Sequence, residues 1–102
     1  MKRSEALELL KEHVKTDRVF RHSLAVEAAM IAYAKHFDAD EERWGNLGLL
    51  HDIDFEKYPE VHPAKAPELL TGTDLDKEFI DSILSHGYDG SVPRDLMERK
   101  VL

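Results

Sequence analysis

The chain has 102 residues, which is enough for one domain with one hydrophobic core and too few for two. It contains no cysteine, so disulfide scaffolds, zinc–thiolate sites and cysteine nucleophiles are all excluded. The 21 acidic residues outnumber the 14 basic ones and give a net charge of −7, which argues against general binding of nucleic acid or of an anionic membrane.

The first two helices are predicted from long segments at the N-terminal end of the chain. Over residues 3–15, apolar residues recur at helical spacing among Glu and Lys. Thr16 and Asp17 then offer an N-cap for a second helix from Arg18 to Phe37. This second segment is rich in alanine, a strong helix former, which favours a long helix.

A third helix is predicted from Glu41 to His51, after a polar break at residues 38–40. Gly45 and Gly48 lie inside it, and each costs a helix about 1 kcal/mol relative to alanine. Glycines kept at such a cost indicate close contact with a neighbouring helix. The third helix is therefore expected to approach another helix closely.

The middle of the chain is predicted to be less regular. The stretch from Ile53 to Val61 is predicted to be a loop. Pro63 suits the first turn of a short fourth helix, which is expected to end near Gly72. Pro67 is awkward inside that helix and is expected to delay or kink it, because proline has no N–H to donate.

Two further helices are predicted in the C-terminal part. The fifth runs from Asp74 to His86, opened by a variant capping box of Thr73 and Asp76 and closed by Gly87 as a C-cap glycine. The sixth runs from Pro93 to Leu102. No strand-like alternation occurs between these segments, so the fold class is predicted to be all-α: a single domain formed by a compact bundle of about five or six helices.

The sixth helix has no stop signal at its end. It ends on Val101 and Leu102, which are both apolar. Either the chain continues in its parent sequence, which is the preferred interpretation, or these two residues anchor the helix to the core.

Five side chains have the type and the position that a metal site requires. Divalent metals such as Fe, Mn, Zn, Ni and Co bind to combinations of imidazole and carboxylate. Adjacent residues on a regular helix diverge by about 100 degrees, so neighbouring ligands fit best where a helix ends, as His51 and Asp52 do. The candidate ligands are His22, His51, Asp52, His62 and His86.

Each of these histidines also has a simpler interpretation. A histidine at a helix C-terminus is favoured by the helix dipole by about 0.3–1 kcal/mol, which alone could account for His51 and His86. His62 could be an ordinary loop residue before a proline. Taken together, the ordered set indicates a metal site more strongly than any single member does.

Four segments carry a resemblance to a known family. They are Arg-Val-Phe-Arg-His-Ser-Leu at 18–24, Leu-Gly-Leu-Leu-His-Asp-Ile-Asp at 47–54, Val-His-Pro at 61–63 and Ile-Leu-Ser-His-Gly at 83–87. In this order they resemble the HD-domain superfamily of metal-dependent phosphohydrolases, above all its small bacterial and archaeal members. The resemblance covers nearly the whole chain and implies an HD-domain-like helical fold.

The resemblance also implies a ligand set and a reaction. His22, His51 and Asp52 would hold a first metal, and Asp52 could bridge to a second metal held by His62 and His86. One or two divalent ions (Mn, Fe, Ni, Co, Zn or Mg) are expected as cofactors. The implied function is hydrolysis of a nucleotide or another phosphoester by a metal-activated water, with a small, nucleotide-like phosphorylated substrate.

Three further residues receive roles beside these ligands. Asp52 and Asp54 are the catalytic candidates, and Asp54 could orient a water or transfer a proton. A loop-capping role for Asp54 is equally compatible with its position. Arg18 lies one helical turn before His22, so that it could grip a phosphate, although a surface ion pair is the commoner fate of such a residue. Lys57 is the weaker phosphate-binding candidate.

One family feature is not found within the chain. The family pattern ends with an aspartate on a later helix, and that residue is expected just beyond Leu102. Together with the uncapped sixth helix, this predicts a C-terminally incomplete domain. The alternative function is therefore a non-catalytic or degenerate HD module that keeps a partial metal site and binds a nucleotide or a protein partner.

Location and assembly are also expectations from the sequence. No apolar run approaches the roughly 18 residues that span a bilayer, and the charged N-terminus lacks the apolar core of a secretory signal. A cytoplasmic protein without a membrane partner is expected. Apolar surface left by the final helix makes a homodimer a further expectation.

Overall fold

The computed structural model describes residues 1–87 and 93–102. Within these two ranges the chain is helical and contains no strand, which confirms the all-α prediction. The helices that the structure describes are α1 (Arg3–His13), α2 (Asp17–His36), α3 (Glu41–Leu50), α4 (Ala66–Leu69), α5 (Lys77–Leu84) and α6 (Met97–Val101).

Helix α3 is the centre of the fold. Every residue from Trp44 to Leu50 is buried, because α1, α2 and α5 all contact this helix. The apolar core around it is closed by α4, which packs on α5, and by α6, which packs on α2 and α5. Its largest fully buried apolar side chains are Leu10, Met30, Leu47, Leu49, Leu50, Ile53, Leu70, Phe79 and Ile83.

The predicted close approach of α3 to a neighbouring helix is confirmed, and the neighbour is α2. A Cβ atom at Gly48 would lie 2.9 Å from the Cα atom of Glu27, a backbone atom of α2. A Cβ atom at Gly45 would lie 3.0 Å from the Cγ1 atom of Ile31. The absence of these two side chains lets the helix axes come together, which offsets the helix propensity lost at glycine.

The predicted start of the fifth helix is wrong by three residues. Helix α5 begins at Lys77, and its N-cap is Asp76, whose carboxylate accepts a hydrogen bond from the Phe79 N–H at 2.8 Å. Thr73 does not cap this helix because its hydroxyl donates to the Leu70 carbonyl at 2.7 Å and so closes the preceding turn. The helix also ends before His86, at Leu84.

The fourth helix is shorter than predicted. Residues 61–65 form turns, and α4 begins only at Ala66. Pro67 thus lies in the first turn of α4, where a missing N–H costs no intrahelical bond. The predicted delay of this helix by Pro67 is confirmed.

The sixth helix begins at Met97, four residues after the predicted start at Pro93. The buried guanidinium of Arg99 explains the non-helical segment before it. Arg99 donates to the Pro93 carbonyl and to the Asp95 carboxylate, both at 3.1 Å. It also donates to the Ser82 hydroxyl at 3.0 Å, and this bond fastens α6 to α5.

The end of α6 contacts the core. Val101 and Leu102 are partly buried against the apolar cluster, as the anchoring interpretation of these residues expects. Among the described residues, none of the helices has the length and apolar character that crossing a membrane requires.

Candidate metal centre

Four imidazole rings surround one carboxylate. His22 Nε2 and His51 Nε2 lie 3.2 and 3.1 Å from Oδ2 of Asp52. His62 Nε2 and His86 Nε2 lie 3.0 and 3.3 Å from its other oxygen, Oδ1. The structure therefore brings together all five ligand candidates that the sequence indicated.

Helix ends place most of these side chains, as the sequence predicted. His51 is the C-cap residue of α3, and Asp52 follows it as the chain turns. His86 lies two residues after the end of α5, and His62 lies in the turns that precede α4. His22 is the exception, since it projects from the second turn of α2.

Backbone carbonyls fix the orientation of two rings. His51 Nδ1 lies 2.6 Å from the Gly48 carbonyl oxygen, and His86 Nδ1 contacts the Ile83 carbonyl oxygen. A carbonyl oxygen only accepts hydrogen bonds, so Nδ1 carries the proton in both rings. In the neutral imidazole, Nε2 of each ring then presents a lone pair to Asp52.

A carboxylate fixes the third ring. His62 Nδ1 lies 2.5 Å from Oδ1 of Asp54, which is fully buried. Burial alone would lower the pKa of His62, but hydrogen bonds with the Asp52 and Asp54 carboxylates outweigh it and raise this pKa to about 9. The surroundings of His62 thus strongly favour positive charge.

The Asp52 carboxylate is strongly held in its ionised form. Its burial raises its pKa, but hydrogen bonds from His51, His62 and His86 act in the opposite direction and hold the pKa well below its usual range. Nδ1 of His51, His62 and His86 is already occupied, so each ring can donate to Asp52 through Nε2 only as an imidazolium, whereas a neutral ring turns an Nε2 lone pair towards the same anion. Several adjacent imidazolium ions would repel one another, whereas one or two metal cations would satisfy all these lone pairs.

The spacing of the ligand atoms also fits a metal. Two groups of three residues each offer atoms within 4.8 Å of one another: His22, His51 and Asp52, and then Asp52, His62 and His86. Atoms bound about 2.1 Å from one ion lie roughly 3.0–3.4 Å apart in octahedral or tetrahedral geometry. The four distances around Asp52 fall in this range, and the shared carboxylate suits two ions as well as one.

A cleft opens beside the first of these groups. It has a volume of about 350 Å³ and is lined by Arg18, Val19, His22, Asp52 and Phe55. Arg18 reaches it from the turn of α2 that precedes His22, as its spacing predicted. Phe55 is 40% exposed, and sequence reasoning missed it because nothing in the pattern shows which way a loop residue faces.

The structure does not bring Lys57 to this cleft. Its Nζ atom lies 2.8 Å from Nδ1 of His13, near the end of α1, and it is absent from the cleft lining that the described residues form. Its position therefore gives no support to the predicted phosphate contact. His13 is half-buried, and burial followed by the nearby Lys57 charge lowers its pKa.

Glu56 joins the segment after Asp52 to the start of α2. Its carboxylate accepts hydrogen bonds from the backbone N–H groups of Lys15 and Thr16, at 2.6 and 2.7 Å, and from the Thr16 hydroxyl. The Thr16 bond is the main reason that the pKa of Glu56 is lowered. This contact holds the helix that carries Arg18 and His22 beside Asp52, and no local pattern of residues predicts it.

Comparison with known proteins adds no family assignment. No protein-family model matches the chain, and neither the curated proteins nor the solved structures include a significant match to it.

Proposed function

We propose that this chain is a metal-dependent phosphohydrolase domain with an HD-type centre, acting on a small phosphoester. The observation that carries the proposal is the convergence of four imidazole Nε2 atoms on the two oxygens of Asp52. The order of these ligands along the chain is the order that the HD-domain resemblance implies. A cleft with a positive residue beside the ligands supports a phosphorylated substrate.

In this proposal, side chains of the cleft bind the substrate and the Asp52 cluster holds the metal. Arg18 would hold the phosphate by paired N–H donors. Phe55 and Val19 give the same cleft an apolar wall, on which the organic part of a substrate could lie. A divalent ion bound at the Asp52 cluster would supply charge stabilisation of the phosphoryl oxygens and a water of lowered pKa.

The test is hydrolysis of p-nitrophenyl phosphate and of a nucleoside monophosphate in the presence of Mn²⁺, Co²⁺ or Ni²⁺. We expect phosphate release from the unaltered chain and none above background from His51→Ala or Asp52→Ala. His36→Ala is the matched control, because His36 lies fourteen residues beyond His22 on α2, about 21 Å along the helix axis. That variant should keep full activity.

Two results would decide against hydrolysis as proposed. Equal phosphate release by the unaltered chain and by both His51→Ala and Asp52→Ala would show that the cluster is not the active centre. Stoichiometric metal binding without hydrolysis of any phosphoester would favour the alternative, a non-catalytic module that has kept the metal site. Circular dichroism of each variant separates loss of activity from loss of fold.

A further inference from the structure

Asp54 lies in a different environment from Asp52, the acidic residue two positions before it. Its side chain is fully buried, whereas the Asp52 side chain is partly exposed. One Asp54 oxygen contacts His62 Nδ1 at 2.5 Å, and the other accepts a hydrogen bond from the Lys65 N–H at 3.1 Å. Both oxygens are thus engaged by the protein behind the His62 ring, on the side opposite to Asp52.

We infer that Asp54 is a positioning residue for metal binding at His62 and His86, which extends the metal centre of the proposed function. By accepting from Nδ1–H, the Asp54 carboxylate selects the His62 tautomer whose Nε2 lone pair faces Asp52. It also fixes the plane of the ring and, through Lys65, joins it to the first turn of α4. This role replaces the catalytic one that the sequence suggested for Asp54.

The two ligand groups that share Asp52 differ in how firmly the protein holds their histidine rings. The side chains of His62 and His86 are 12% and 14% exposed, and the Nδ1 atom of each has a partner. The side chain of His22 is 54% exposed, and the hydrogen bonds between described residues include none to its Nδ1. The geometry therefore makes the half formed by Asp52, His62 and His86 the preorganised one.

An asparagine at position 54 tests this role with little change of shape. It has one accepting oxygen, so it cannot accept from both His62 and Lys65. If its oxygen accepts from Lys65, its NH₂ group faces His62 Nδ1 and favours the tautomer with the proton on Nε2. That tautomer cannot bind a metal through Nε2.

The experiment is Mn²⁺ or Co²⁺ titration by calorimetry of D54N in two backgrounds. H22A retains only the group of Asp52, His62 and His86, and H86A retains only the group of His22, His51 and Asp52. We expect D54N to raise the dissociation constant about 10-fold to 100-fold in H22A. In H86A we expect a change of less than about twofold, since His62 is not needed there.

A second readout is the tautomer of the His62 ring itself. Imidazole ¹⁵N shifts of the metal-free chain, recorded at a pH above the His62 pKa of about 9, should show the proton on Nδ1, and D54N should shift the population towards Nε2 protonation. Equal weakening of binding in both backgrounds, or an unchanged affinity in H22A, would overturn the positioning role while leaving the metal centre intact. Absence of metal binding in the unaltered chain and in both backgrounds would overturn the metal centre and the proposed function with it.

Discussion

At the scale of single residues, the histidines of the centre depend on the atoms behind them. The Gly48 carbonyl orients His51, the Ile83 carbonyl orients His86, and the Asp54 carboxylate orients His62. Each partner leaves an Nε2 lone pair directed at Asp52. Ligands held in this way lose little side-chain freedom when a cation binds, which favours affinity.

Arg18 and Lys57 are the two cationic side chains that the sequence indicated as phosphate contacts. Arg18 lines the cleft, and Lys57 contacts His13 instead. We expect Arg18→Ala to lower kcat/KM for a phosphoester about 10-fold to 100-fold, because a hydrogen bond to a charged group contributes about 1.5–3 kcal/mol. Lys57→Ala should leave kcat/KM within about twofold. Steady-state kinetics of both variants measure this, and a larger loss in Lys57→Ala would contradict the assignment.

At the scale of elements, the contact between α2 and α3 determines where the centre forms. Helix α2 carries His22, and α3 ends at the residue before His51. The helices approach closely because Gly48 has no side chain where the backbone of Glu27 passes. The carbonyl of Gly48 also holds His51, so one glycine serves both the helix contact and the candidate metal ligand.

Alanine substitutions at the two glycines of α3 should therefore differ. We expect Gly48→Ala to lower the free energy of unfolding by about 3 kcal/mol, because its methyl group would meet backbone atoms that cannot move separately from α2. Gly45→Ala should change it by less than about 1 kcal/mol, because the Ile31 side chain can rotate and alanine favours the helix. Urea unfolding measures both, and equal effects would show that the helices are free to separate.

At the scale of the whole molecule, the centre joins parts of the chain that are far apart in sequence. Its ligands come from α2, from the end of α3, from the turns before α4 and from the end of α5. A cation bound there would cross-link four segments of the native fold. The unfolded chain cannot offer these ligands in the same arrangement, so metal binding should stabilise the native state.

We expect Mn²⁺ or Co²⁺ at about 100 times its dissociation constant to raise the free energy of unfolding by about 2.7 kcal/mol. EDTA should reverse the increase, and Asp52→Ala should abolish it because both ligand groups share that carboxylate. Urea unfolding with and without metal measures the difference. An equal increase in Asp52→Ala would place the bound ion elsewhere on the molecule.

The sequence by itself determined the helical class, the three long helices and the ligand candidates. Helical periodicity and capping residues are local signals, and they were sufficient for α1, α2 and α3. The short helices α4 and α6 differed from prediction because fewer than two turns have little stability of their own and depend on tertiary contacts. The Arg99 contacts that delay the start of α6 are of this kind.

Only the tertiary structure decided how the segment after Asp52 is oriented. It placed Phe55 at the cleft, Glu56 against Thr16, and Asp54 behind His62. These directions follow from contacts between residues as many as 41 positions apart, and no local pattern encodes them. The spacing of His51 and Asp52 at a helix end made the histidine–aspartate cluster predictable, whereas the partners that orient its rings became visible only when the segments were folded together.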